Sequence, residues 1–176
     1  MSSPDAPGRR AVLGLALALP WAAAGCGWTP LYADRETGPA DAELRAIRVD
    51  PISERIGQNL ELELRRAFNP DGLPAQMRYV LVTTLLTVRS DLGVQIQGLG
   101  TRGKLDVTAR YVLRDLKTGA ILINEADHVV DSFDILANGY ANIVSEEDAR
   151  RRAVRQLRDD IVERLTLFMQ RRIAPG

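Results

Sequence analysis

The sequence predicts an α+β domain, a two-layer sandwich in which two helices pack on one face of a four-stranded, mostly antiparallel sheet. Three observations lead to this fold class. Residues 104–114 alternate between apolar and largely polar side chains, and residues 53–68 carry an apolar residue at every fourth position. The last segment of the chain carries a long stripe of apolar residues at helical spacing. The predicted order is strand, helix, three strands, helix, and it packs most economically with both helices on the same face.

Residues 1–25 are predicted to be a lipoprotein signal peptide that precedes the fold. Arg9 and Arg10 form a charged start, and the apolar run from Ala11 to Leu19 follows. This run is far shorter than the roughly 20 residues that a membrane-spanning helix needs. The arginine pair leaves open whether export uses the general or the twin-arginine route.

Cys26 is the single cysteine of the chain, and it stands directly after the small residues Ala23-Ala24-Gly25. This arrangement resembles the bacterial lipobox, which implies a covalent diacylglycerol on the thiol and an N-acyl chain, typically palmitate, on the new amino terminus. Two or three acyl chains are enough for stable anchoring. Gly27 stands where an inner-membrane retention signal has Asp, which favours the outer membrane. The alternative is a free buried thiol.

The mature chain divides into an acylated tether, residues 26–43, and a single domain, residues 44–176. The tether is rich in proline and glycine and is predicted to be extended. A short strand is expected at about 45–50. The segment "SERIGQNLELELRRAF" (53–68) then predicts an amphipathic helix with Ser53 as N-cap, and "NPDG" ends it.

Three strands and a second helix complete the domain. Strands are predicted at 78–90, 104–114 and 120–133, and the glycine-rich segment 91–103 is predicted to be a long turn or a bulged strand end. Ser145 and Asp148 resemble a capping box, so the final helix is expected to begin there and run for about 25 residues. Its apolar stripe consists of Ala149, Ala153, Leu157, Ile161, Leu165 and Phe168.

Composition and motifs argue against an enzyme. The formal net charge is zero, which gives no reason to expect a nucleic-acid partner. His128 is the single histidine and lies in a predicted strand, where a structural role is the ordinary one. No Cys/His cluster, phosphate-binding loop or catalytic serine motif is present, so no catalytic residue, metal or cofactor is predicted beyond the lipid on Cys26.

Two basic groups remain to be interpreted. Arg89, Arg102, Lys104 and Arg110 surround the glycine-rich segment and the strand after it. They either bind phosphates or carboxylates of an anionic ligand, or form a solvated strand edge that discourages edge pairing. The arginines between 150 and 158 are interpreted as a solvated helix face, since neighbouring carboxylates can pair with them.

Three strings resemble one family of envelope proteins. "GWTPLYA" follows Cys26, "LDVTARYVLRDLKTGAIL" forms the strand-turn-strand unit, and "DSFDILANGYANIVSEEDARRRAVRQLRDDIVERL" precedes and forms the last helix. Together these strings resemble LptE, the lipopolysaccharide-assembly lipoprotein, in its alphaproteobacterial form. The fold known for that family, two helices against a four-stranded sheet, agrees with the fold predicted from periodicity.

The resemblance implies a non-enzymatic lipoprotein on the periplasmic side of the outer membrane. Such a protein plugs the LptD β-barrel, supports its assembly and binds lipopolysaccharide. Arg102 and Lys104 are the lipopolysaccharide contacts that the resemblance implies, and Arg89 and Arg110 are added for their proximity. Phe133, Tyr140 and the predicted loop tip "NGYAN" (138–142) are candidate partner contacts, and the alternative is a simple loop with a packed aromatic residue. The alternatives are an auxiliary lipoprotein of an ABC-type lipid transporter and a self-contained lipid carrier.

Overall fold

A computed structural model describes residues 38–73, 76–92, 101–136 and 138–174, apart from the side chain of Thr101. The described residues fall within one compact unit, Glu36–Gly176. The predicted signal peptide, Cys26 and most of the predicted tether lie outside them, as does most of the glycine-rich turn. The elements are α1 (Pro39–Arg45), β1 (Ile47–Val49), α2 (Arg55–Phe68), β2 (Tyr79–Leu92), β3 (Thr101–Asp115), β4 (Ile121–Ile135) and α3 (Gly139–Ile173).

The four strands form one sheet in the order β1-β2-β3-β4. β1 runs parallel to β2, while β2, β3 and β4 pair antiparallel. The predicted α+β class and the mostly antiparallel sheet are therefore confirmed. β1 pairs only with Tyr79 to Leu81, so the rest of β2 is a sheet edge within the described residues.

Helix α1 lies where the sequence predicts an extended tether, so the described residues form three helices instead of the predicted two. Seven residues are too few for a helix that is stable by itself. Tertiary contacts hold this one, because Leu44 is buried and the Tyr79 hydroxyl donates to Glu43 at 2.7 Å. The amide of Asn69 also donates to the Arg45 carbonyl oxygen at 2.9 Å. Periodicity over so short a segment gave no signal for these contacts.

The core lies between the sheet and α2 and α3, where the predicted apolar faces meet. The four-residue spacing of α2 is confirmed by burial from Ile52 to Phe68. The alternation of β3 is confirmed too, since its inward residues have no exposed area. On α3, Phe168 is only partly buried and Met169 takes the last core position. The fully buried residues of β3 and α3 are Leu105, Val107, Ala109, Tyr111, Leu113, Ala149, Ala153, Leu157, Ile161, Leu165 and Met169.

Helix α3 begins six residues earlier than predicted and contains 35 residues. Asn138, and not Ser145, is the N-cap, and its Oδ1 accepts the Tyr140 N–H at 3.0 Å. The segment expected to be a loop tip is therefore the first turn of the helix. Its apolar side chains, such as Ile143, are exposed, so they carry no amphipathic signal. At α2 the N-cap is Glu54 instead of Ser53.

Candidate functional site

The sheet has one face covered by helices and one face that the described helices leave open. Side chains alternate between the two faces along each strand. In β3, the odd-numbered residues point into the core and the even-numbered residues point out. The paired residues of β2 and β4 follow the same alternation. We call the open side the outer face; it comprises the even-numbered residues of Val80–Leu92, Arg102–Arg114 and Asn124–Asp134.

An apolar row runs along β2 on the outer face. It consists of Val82, Leu86, Val88 and Leu92, whose exposed fractions are 39%, 60%, 49% and 52%. Their inward neighbours Leu81 and Thr83 are buried, so apolar residues here occupy both faces of one strand. Thr84 and Ser90 interrupt the row, and exposed apolar residues gathered along one strand in this way are typical of a binding surface.

A basic row runs along β3 beside the apolar row. Arg102, Lys104 and Arg110 are even-numbered residues of one strand, so the structure brings them onto the same face. Arg102 is paired with Leu92 of β2, and Arg110 with Thr84. Three of the four predicted binding residues therefore share one surface, about one strand spacing from the apolar row.

Carboxylates neutralise only part of this basic row. Lys104 Nζ lies 3.2 Å from Asp106 Oδ2, and Arg102 Nε lies 4.0 Å from Asp134 Oδ1. No described carboxylate pairs with Arg110. The hydrogen bond from His128, and then that from Lys104, hold the pKa of Asp106 below its ordinary value. The outer face thus keeps an excess of positive charge.

Arg89 lies on the other side of the sheet. It is an odd-numbered residue of β2, and its guanidinium lies 3.3 Å from Glu146 of α3 and 3.2 Å from Asp91. It also stacks over the Phe133 ring, 5.5 Å from the centroid. The structure therefore separates Arg89 from the three residues of the outer face and joins it to α3.

The two predicted partner contacts have very different environments. Phe133 is buried, and its ring packs directly on the backbone of Gly103. Tyr140 is 77% exposed on the first turn of α3. Ile143 and Val144 are exposed close by, which makes this end of the helix an apolar surface. Of these two residues, Tyr140 alone presents its aromatic ring to the outside.

A polar cluster between β4 and α3 was missed at the sequence level. The buried Tyr111 hydroxyl donates to Asp127 Oδ2 at 2.9 Å. Arg164 of α3 approaches Asp127 at 3.4 Å and Glu125 at 2.6 Å. Burial, and then the hydrogen bond to Asp127, raise the pKa of Tyr111. The available signal was an aspartate at an inward position of a predicted strand.

The described residues contain no cluster of three or more His, Cys, Asp or Glu side chains that could hold a metal ion. Among the helices of the described part of the chain, none combines the length and apolar character needed to cross a membrane. The buried cluster around Asp127 is fully paired and joins the two layers.

The family model for LptE, described as "Lipopolysaccharide-assembly", matches residues 44–169. The chain belongs to the LptE family. That family is a non-enzymatic family of lipopolysaccharide-assembly lipoproteins associated with the cell envelope, as the sequence resemblance implied. The match spans the described fold from Leu44 in α1 to Met169 in α3.

Two solved structures show the same fold as this LptE-family chain. A candidate lipoprotein from Caulobacter crescentus CB15 is 21% identical, with a TM-score of 0.63, over 79% of this chain and 100% of its own. A minor lipoprotein from Acinetobacter baumannii is 17% identical, with a TM-score of 0.51, over 69% of this chain and 91% of its own. At these identities the likeness concerns the fold. No curated protein sequence matched the chain.

Proposed function

We propose that this LptE-family protein is an outer-membrane lipoprotein, anchored on the periplasmic side through acylated Cys26. In this proposal it plugs the LptD β-barrel, supports the assembly of that barrel and binds lipopolysaccharide on its way to the cell surface. The family match over residues 44–169 is the observation that carries the proposal. The protein then acts by contact alone, which agrees with surfaces built for binding.

The two rows of the outer face support lipopolysaccharide as the ligand. The molecule combines acyl chains with phosphates, and the outer face offers an apolar row on β2 beside a basic row on β3. Neighbouring strands lie about 4.8 Å apart, so one amphiphile can contact both rows. Arginine provides a forked donor for phosphate oxygens, and lysine provides a point charge.

The exposed end of α3 supports a protein partner. Tyr140, Ile143 and Val144 form an apolar surface on a rigid helix, and exposed aromatic residues are enriched at protein interfaces. Phe133 has an indirect role in this proposal, because it packs beneath Gly103 and Arg89. It holds the strand ends that lead to the basic row.

Affinity purification of the acylated protein from detergent-solubilised membranes tests the partnership. We expect a large outer-membrane β-barrel to be recovered with it. Recovery of an ATPase and a permease in its place would contradict the proposal and favour an auxiliary lipoprotein of an ABC-type transporter. A Cys26→Ala variant should leave the membrane fraction, because the acyl chains supply the anchor.

Charge reversal tests the ligand. Arg102→Glu combined with Lys104→Glu should weaken lipopolysaccharide binding and leave the barrel complex intact. The matched control reverses Arg55 and Arg155 on the helical layer, since neither forms an ion pair with a described residue. Equal binding by the test and control proteins would return the basic row to its alternative interpretation, a solvated strand edge.

Substitution at the start of α3 tests the protein contact separately. Tyr140→Ala with Ile143→Ser should lower recovery of the barrel while the protein keeps its lipopolysaccharide affinity. The control is Leu62→Ser on α2, where an exposed apolar side chain lies elsewhere on the surface. Undiminished recovery of the barrel would place the contact at another surface.

A further inference from the structure

β4 is the last strand of the sheet that the structure describes, so one of its two edges has no neighbouring strand among the described residues. Fifteen residues of β4 run along this free edge. Such an edge presents unpaired N–H and C=O groups that are suited to pairing with another strand. Other residues of the same protein cover one part of this edge and leave another part uncovered.

Near its end, the edge of β4 is covered by side chains of the same protein. The Ser132 N–H donates to Asp131 Oδ1 at 2.7 Å, and the Ser132 carbonyl oxygen accepts from Arg152 of α3 at 3.2 Å. Arg152 also donates to the Asp131 carboxylate at 2.9 Å. The backbone of Ser132 therefore faces away from β3, and its hydrogen-bonding groups are satisfied there.

The preceding part of the edge lacks such a cover. In an antiparallel ladder, alternate residues direct both backbone groups to the same side. Asn124, Ala126, His128 and Val130 consequently face the free edge together with Ser132. No described residue forms a hydrogen bond with the edge-facing backbone groups of these four residues. A stretch from Asn124 to Val130 thus remains open to a strand.

A trough lies between this open edge and helix α3. It consists of two adjoining cavities of about 610 Å³ and about 450 Å³, which share Arg164 and Arg171. The first cavity contains Leu122 of β4 and Phe168 of α3, and the second reaches His128. An unpaired strand edge beside a helix, with an apolar floor at one end, is the arrangement that accommodates an added strand.

The trough carries opposite charges at its two ends. Arg172 lines only the first cavity, beside the beginning of β4, and Arg171 lines both cavities; neither forms an ion pair with a described carboxylate. Asp160 and Glu163 lie beside Asp127 and His128 at the other end, again without an ion pair among the described residues. Burial, and then the Asp127 charge, raise the pKa of Asp160, and the charge of Arg164 only partly opposes this effect.

We propose that this trough binds an extended segment of a partner protein, which pairs antiparallel with Asn124–Val130 of β4. Antiparallel pairing places the C-terminal end of the segment beside Arg171 and Arg172, so that end is acidic. Its N-terminal end lies beside Asp160 and Glu163, so that end is basic. The backbone supplies the affinity, and the two charged ends select the direction. The inference does not depend on the function proposed above.

Amide hydrogen exchange on the full chain in detergent micelles tests this proposal. The probe is a synthetic, capped peptide of alternating threonine and valine with lysines at its N-terminal end and glutamates at its C-terminal end. It should slow exchange at Ala126, His128 and Val130 about tenfold or more. A peptide with the two charged ends exchanged should bind at least about fivefold more weakly. Equal binding of both peptides, or unchanged exchange, would overturn the proposal.

Two sets of variants give further discrimination. Asp160→Lys with Glu163→Lys leaves both ends of the trough basic and should abolish the preference between the peptides, while Asp159→Lys, outside the trough on the same helix, should not. Ala126→Pro removes an edge-facing N–H and should abolish binding, while Ala126→Ser should retain it. If exchange instead slows with rising protein concentration in the absence of peptide, the edge belongs to a second copy of this chain and the proposal fails.

Discussion

The two faces of the sheet come from the same strands and yet serve different purposes. On the inner face, Leu105, Ala109 and Leu113 have no exposed area, and the buried Asp127 is paired. On the outer face, Leu86 is 60% exposed and Arg110 lacks a described partner. Burial restricts the inner residues to shapes that fit, while the outer residues remain available for contacts with other molecules. Alternation along a strand thus provides stability and binding from adjacent positions.

Truncating one leucine on each face should give the largest contrast. Leu105→Ala creates a cavity in the core and should lower the free energy of unfolding by about 2–5 kcal/mol. Leu86→Ala removes an exposed side chain and should change it by about 0.5 kcal/mol or less. Urea denaturation measures both values. A comparable cost at Leu86 would mean that the outer face is covered within the chain itself.

The buried hydroxyl of the inner face should have the next largest effect. Tyr111→Phe removes the donor to Asp127 and should lower the free energy of unfolding by about 1.5–3 kcal/mol, because a buried carboxyl group loses its hydrogen bond. The matched control, Tyr140→Phe, alters an exposed ring and should leave stability unchanged. Equal values for the two variants would show that the cluster adds nothing to the joining of the layers.

A third contrast concerns two glycines. A Cβ on Gly103 would lie 2.3 Å from the Phe133 ring, so Gly103→Ala should lower the free energy of unfolding by about 1–3 kcal/mol. Gly139 at the start of α3 has nothing within 4 Å of such an atom, and Gly139→Ala should be neutral or slightly stabilising. Thermal denaturation gives both values. The cost at Gly103 should fall in a Phe133→Leu background, and an unchanged cost would exclude this contact as its cause.

The smallest effect concerns protonation on the outer face. The pKa of Asp106 is below its ordinary value of 3.8, so ionised Asp106 stabilises the fold above that pH. This contribution disappears as the pH falls through the lowered pKa. His128→Ala removes the main hydrogen bond and should raise the pKa of Asp106, as measured by carboxyl-carbon NMR titration. The pKa of Asp148, which Arg151 lowers on α3, should not move.

Several elements could be predicted from the sequence because a single local pattern determines them. The four-residue spacing from Ile52 to Phe68 and the alternation from Leu105 to Leu113 each require a buried face. Helix α1 could not be predicted, because its stability comes from contacts with residues far along the chain, such as Tyr79. The start of α3 was misplaced because the residues of its first turns are exposed.

The candidate sites also combine features that local sequence patterns determine with features that depend on contacts between distant residues. The basic residues around the glycine-rich segment were recognised as a group from the sequence. Arg102, Lys104 and Arg110 lie on the same face of the sheet because all three occupy even-numbered positions of β3. Arg89 belongs to a different strand, and the pairing register placed it on the other face. The apolar row of β2 was also not recognised as a surface. Apolar residues occupy both odd- and even-numbered positions of this strand, so the sequence does not indicate which face is covered.

The sequence by itself determined the α+β class, the faces that form the core and the lipobox-like environment of Cys26. Each of these depends on residues that are close together in the chain, where periodicity and spacing carry the information. Tertiary structure alone decided which face of the sheet stays open and which part of the β4 edge is covered. Those outcomes depend on where α3 crosses the sheet, and that position is set by packing between residues distant in sequence, such as Arg152 and Asp131.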